Sequence, residues 1–460
     1  MSEPRPSGAR RAARAPRSPL PRPPVNATSL TVAVVLVAVV LVLLTPGRPG
    51  TADRPTSATG QPVTRTVLGC PRSPVPEGVT TRYGVAAAEV DGYGADGEVS
   101  GTPRLDRGEA SDLTATTVTG VDGLAQGLFA WRADSGPSTA VTTCPSPRAS
   151  WWFTAVGASL EHQSTLVLDN LDSGPAEVDI RVLTPEGEID LSETGGTGIT
   201  IRPGGHLVLP LVELAPQNDE LAVHVHATRG RIVAAAYDRF APGPTAPSGY
   251  EWIGSQVEPA RTVRLSGAPG TPRSRTLLVA NPSTLEAVVS VELDGPSGRV
   301  LPPDLDQLSV DPGALVALDL TALASEDVAV RVVSDRPVVA SLRSVVRDGD
   351  IVYAGPAGAV TDAAALPTVG RSVAHVTALG ATARVTLTAY SSTGEEVERT
   401  TLALALHETA TWRAPDEASY VVLEPTQGPV VGSMVYGGAA AVAFQELPAT
   451  VRIPVVRPAA

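Results

Sequence analysis

The sequence predicts an all-β chain of tandem immunoglobulin-like β-sandwich domains behind a single N-terminal transmembrane helix. Short runs of alternating apolar residues are broken by Asn-Pro, Gly-Pro and Pro-Gly pairs, the period-two signature of strands joined by turns. A set of landmarks recurs three times at roughly 90 to 110 residues, the size of a seven-stranded sandwich and too long for a solenoid unit. One uncharged apolar run lies near the N-terminus. Composition agrees: 43 Gly and 43 Pro in 460 residues, with 2 Met and 4 Phe, describe many turns and few helices. This length suits roughly three or four domains.

Residues 1–28 carry Arg5, Arg10, Arg11, Arg14, Arg17 and Arg22 against Glu3, with Pro throughout, and read as a disordered basic tail. The run Leu30 to Leu44 within Ala27 to Gly47 has about the 20 residues that span a bilayer. The preceding arginines place the tail in the cytoplasm and the bulk of the chain outside. No small-x-small cleavage site follows Leu44, so 29–46 reads as an uncleaved signal-anchor, a single-pass attachment to the lipid bilayer. Residues 47–69 are a Pro/Thr/Gly linker.

Cys70 and Cys144 are the two cysteines, and in an exported chain they are expected to form one bridge. It would close a loop of about 75 residues around a small Gly-rich β subdomain, 70–148, which also reads as a truncated copy of the repeat. Val67 to Cys70 resembles a lipoprotein box but stands too far from the apolar run to serve as one.

Three β-sandwich repeats follow, at 149–260, 261–368 and 369–460. Asn170 matches Asn281, Gly187 matches Gly298 and Gly394, and Pro203-Gly204 matches Pro312-Gly313. The third repeat lacks the Asn and the Pro-Gly. Each copy closes with a hairpin, and Trp252, Tyr353 and Phe444 are expected at equivalent points of the return strand, each filling its own domain.

Beyond the tail the charge is acidic. With the eight arginines and two acids of residues 1–54 set aside from totals of 35 and 48, 27 basic and 46 acidic residues remain, net −19. This balance disfavours nucleic acid as a partner. Gly92 to Gly97 matches G-x-G-x-x-G, but no helix follows to receive a pyrophosphate, so it reads as a turn. His224 and His226 face one way on a strand without further ligands nearby, which suits an outer sheet face better than zinc. Asp169, Asp172 and Asp179 lack the spacing of a calcium loop and read as turn residues. Trp151, Trp152 and Phe153 alternate across a strand, which favours packing over a sugar platform. No nucleophile–base pair is discernible, and no catalytic residue, cofactor or metal is expected.

The Arg/Pro tail, the single anchor, the Cys-bracketed region ending in Cys144-Pro-Ser-Pro-Arg-Ala-Ser-Trp-Trp-Phe153 and the N-P…G…PG…RPVVAS units together resemble an actinobacterial family, domain-of-unknown-function family 5719. The resemblance implies membrane-anchored extracytoplasmic β-repeat proteins and carries over no functional residue. The expected function is a non-enzymatic binding or scaffolding stalk at the cell membrane, working with an envelope protein or polysaccharide in surface, wall or glycan assembly. The alternative is a carbohydrate-binding or carbohydrate-active protein with a site between the N-terminal subdomain and the first repeat.

Overall fold

Alternation in the sequence becomes alternation across sheets. In Ala287–Gly295, Ala287, Val289, Val291 and Leu293 point into a core while Val288 and Ser290 face outward. The computed structural model describes residues 59–453, apart from 74, 92, 95, 103–104, 114, 193, 244–248, 324–326, 347–348 and 448. The chain is all-β: among the described residues the helices are single 3-10 turns of three residues. None of them is long and apolar enough to cross a membrane. The expected tail, the signal-anchor 29–46 and the linker up to residue 58 lie outside the described residues.

Four modules share one strand order. Module I runs from Arg65–Gly69 to Thr139–Thr143, II from Ser150–Ala158 to Gly249–Ile253, III from Ala260–Ala268 to Ile351–Ala354, and IV from Ala364–Pro367 to Ala440–Ala443. With the short strands Ile199–Ile201 of module II and Leu308–Val310 of module III left out of the count, each paired to its module's third strand, one sheet is ordered first-sixth-third-fourth and the other eighth-seventh-second-fifth; the described residues of module I hold no fourth strand. In module III the sixth and seventh strands are one strand, Val328–Val345, which passes from one sheet to the other. Both sheets feed a common core, as where Val263, Val289 and Val330 meet Leu277, Val279 and Ala340. The subdomain expected at 70–148 is thus a fourth copy. Its first strand falls inside the expected linker, and the first strand of module IV precedes the expected boundary at 369.

The repeat landmarks have a physical cause. Buried Asn170 accepts from the Asp172 N–H through Oδ1 at 3.0 Å, and its amide donates to the Gly174 and Ile201 carbonyls at 2.8 and 3.0 Å. Asn281 repeats this with Ser283, Leu285 and Val310 at 3.0, 2.8 and 3.0 Å. One side chain therefore ties the backbone of its own turn to the end of a short strand, Ile199–Ile201 in module II and Leu308–Val310 in module III. Gly204 and Gly313, at φ 62° and 68°, supply the left-handed residue of the neighbouring turn.

The modules close on themselves. Each eighth, or closing, strand lies against that of the next module, and that of module IV returns to that of module I. Gly254 and Gly355 meet where modules II and III touch; a Cβ on Gly254 would lie 3.0 Å from the Gly355 Cα, so neither position has room for a side chain. Between modules IV and I, Tyr420 donates to the Gly108 carbonyl at 2.6 Å and Tyr93 to that of Leu447 at 3.1 Å. Phe129, Tyr390 and Tyr420 form one aromatic cluster there. The four closing strands thus form a ring.

Register corrects one expected equivalence. Tyr237 pairs with Trp252, Arg343 with Tyr353 and Val435 with Ala441, so Ala441 holds the third position and Phe444 lies beyond it. Phe444 fills the core of module IV. Trp252 and Tyr353 turn instead into the junction with the preceding module.

Candidate functional site

Two junctions are built on buried carboxylates. On the seventh strand of module I, Asp134 accepts from Thr81 Oγ1 at 2.6 Å and, from the next module, Trp252 Nε1 at 3.0 Å. The fully buried Arg132 donates Nε to both Asp134 oxygens at 3.0 Å and Nη1 to the Pro71 carbonyl at 2.8 Å. Asp238 on the seventh strand of module II repeats the design: Ser164 at 2.8 Å, Tyr353 of module III at 2.8 Å, and His162 Nδ1 at 2.7 Å. Ser164 and His162 bond Asp238 and not one another, so this is not the relay of a serine hydrolase. By register, Ser344 stands in place of Asp238 on module III, and Ala441 in place of the donor it would need. At the IV–I junction the corresponding residues are Tyr436, whose hydroxyl donates to the Pro367 carbonyl at 3.1 Å, and Val141, both packed in the module IV core. Carboxylate and donor are present together or lost together, as the cost of an unpaired buried charge requires.

At the C-terminal ends of the closing strands all four modules line a cavity of about 60 Å³, with Thr143, Ser255, Gly355, Ala443 and Gln445 on its wall. An adjoining groove of about 320 Å³ between modules I and IV shares Thr143, Pro145, Arg148 and Gln445 with it. Arg148, just before the first strand of module II, is the cation common to both. Its guanidinium lies 3.6 Å from the centre of the Trp151 ring, donates Nε to the Ser150 carbonyl at 3.1 Å and donates Nη2 to Ser255 Oγ at 2.7 Å. Among the described residues no carboxylate pairs with it. Burial pulls its pKa down to about 10, against the attraction of Glu258.

A family model described as "Family of unknown function (DUF5719)" matches residues 99–415, more than half of the chain. The chain belongs to this family. The DUF5719 match runs from the third strand of module I to just past the fifth strand of module IV. No curated protein matches the sequence. Among solved structures, the crystal structure of Streptomyces avermitilis α-L-rhamnosidase complexed with L-rhamnose is matched at 10% identity and a TM-score of 0.14. That match covers 82% of this chain and 58% of the rhamnosidase chain, and at that score it carries no argument.

The structure places each residue singled out in the sequence of this DUF5719 protein. Cys70 and Cys144 are bonded, with S–S 1.98 Å, and both belong to the module I core. Trp151, Trp152 and Phe153 are all buried, so they offer no sugar platform. His224 stacks on Trp152 at 4.2 Å and contacts Ser150 Oγ through Nε2 at 3.1 Å. Burial, then His226, pull its pKa down to about 4, which keeps it neutral. The three aspartates are not gathered. Asp169 accepts from Arg72 and contacts His206, Asp172 pairs with Arg231, and Asp179 accepts from the Gly198 N–H. Gly92 and Ala95 of the glycine motif lie outside the described residues. Sequence reasoning missed Arg148 and Ser255. Arg148 stood within Cys144 to Phe153, a stretch noticed only for its cysteine and aromatics.

Proposed function

We propose that this chain is a non-enzymatic binding or scaffolding protein of the cell envelope, held in the membrane by residues 29–46 with its four modules outside. The modules are read as immunoglobulin-like sandwiches, each keeping the two-sheet order described above. The observation that carries the reading is the cavity lined by residues in or just beyond the closing strands of all four modules, since a pocket of that kind exists only while the ring is closed. The formed disulfide and the acidic balance beyond the tail support an extracytoplasmic setting. Recognition on loops at one end of sheet frameworks is a common arrangement. The partner is an envelope protein or polysaccharide of surface or wall assembly.

A second reading, carbohydrate binding between modules I and II, is favoured by one observation: Thr142, Thr143, Arg148, Trp252 and Ser255 from these modules line the same cavity. Photo-cross-linking in the native envelope tests the proposal. A cross-linker at exposed Ser146, on the groove rim, should capture a defined envelope component, while one at Leu160, 91% exposed on module II, should not. Identical products from both positions would contradict a recognition role for this face.

A further inference from the structure

We propose that the cavity at the ends of the closing strands binds one carboxylate of a small hydroxylated ligand, the chemistry of an acidic sugar, on the outer edge of the Arg148 guanidinium. The inference rests on this face being the recognition surface. A guanidinium has five N–H donors in one plane. The Nε donor and one of the two on Nη2 are taken by Ser150 and Ser255. What remains is the edge shared by Nη1 and Nη2, the fork that receives a carboxylate through two parallel hydrogen bonds.

The stack on Trp151 and the two protein acceptors fix the plane of that fork before any ligand arrives, which lowers the ordering cost of binding. A partly buried cation with no carboxylate in salt-bridge contact among the described residues favours an occupant of opposite charge. Arg148 is the one cation on the cavity and groove walls, and Glu446 stands on the groove wall as well, so the site suits one negative charge rather than a polyanion. The adjoining groove, with Thr143, Ser146 and Gln445 on its wall, offers hydroxyl and amide groups to a polyhydroxylated body attached to the carboxylate.

Isothermal titration of the purified full-length protein with D-glucuronate, D-glucose and inorganic phosphate tests this. Glucuronate should bind saturably and at least about tenfold more tightly than glucose, as expected for a charge-assisted contact. Arg148→Gln should weaken glucuronate about tenfold or more, Arg148→Lys should restore it only in part, and Ser255→Ala should weaken it a few-fold. Circular dichroism checks that each variant is folded; if Arg148→Gln is not, the Lys and Ser255→Ala variants decide. No saturable glucuronate binding, equal affinity for glucose, tighter binding of phosphate, or undiminished binding by the variants would overturn the assignment. Capture from Ser146 is a separate readout, so the scaffolding role and the carboxylate site can fail independently.

Discussion

Trp252→Phe is the substitution that isolates the junction carboxylates. It keeps most of an aromatic side chain that is only 3% exposed and removes the N–H held by Asp134 at 3.0 Å. Asp134 retains Arg132 and Thr81, so the charge is not stranded, but a hydrogen bond to a buried charged acceptor contributes about 1.5–3 kcal/mol. The smaller ring leaves a gap costing about another 1 kcal/mol. The expected loss is therefore about 2.5–4 kcal/mol. Because the ring joins modules I and II, both should destabilise together. Chemical denaturation followed by far-UV circular dichroism measures the loss, and a cycle with Asp134→Asn should give a coupling of about 1–2 kcal/mol. A cost below about 0.5 kcal/mol, or additive single and double variants, would refute the assignment of Trp252 to the carboxylate.

Tyr353→Phe removes the equivalent donor to Asp238 and should cost about 1.5–3 kcal/mol by the same assay. Reduction of Cys70–Cys144, which closes a separation of 74 residues, should cost roughly 4 kcal/mol and lower the melting temperature seen by calorimetry. Burial raises the Asp350 pKa to about 6, against hydrogen bonds from Ile351 and Ser138 that lower it. A raised folded pKa means the native state disfavours the ionised form, so stability falls as pH rises from about 4 through 6. Asp350→Asn should therefore match the wild type at pH 4 and exceed it by about 2–3 kcal/mol at pH 7.5, read from urea midpoints. Equal pH profiles for the two proteins would contradict this.

Strand content and three of the copies were legible because period-two alternation and turn residues are local signals. Asn170 and Asn281 were visible as matching letters, and the structure gives the reason: each ties its own turn to the end of a short strand. The first module was harder to read because its described residues hold no fourth strand and its first strand, Arg65–Gly69, resembles linker. The ring itself is non-local. Nothing near Tyr420 in sequence points to Gly108, 312 residues away, and the partners of Trp252 and Tyr353 lie in other modules. Phe444 was matched to Trp252 by residue type, whereas pairing register assigns that place to Ala441. Arg148 was overlooked because its chemistry depends on Ser255, which arrives through the next hairpin, and on a cavity that exists only once four modules meet.

Small-angle X-ray scattering of the chain beyond residue 58 tests ring closure most directly. A compact body of roughly 395 residues has a radius of gyration of about 21 Å, whereas four modules in an open row would give roughly 40 Å. Closure predicts the smaller value, together with a single-peaked distance distribution. A value near the larger one would contradict the ring, and with it the cavity and both carboxylate junctions.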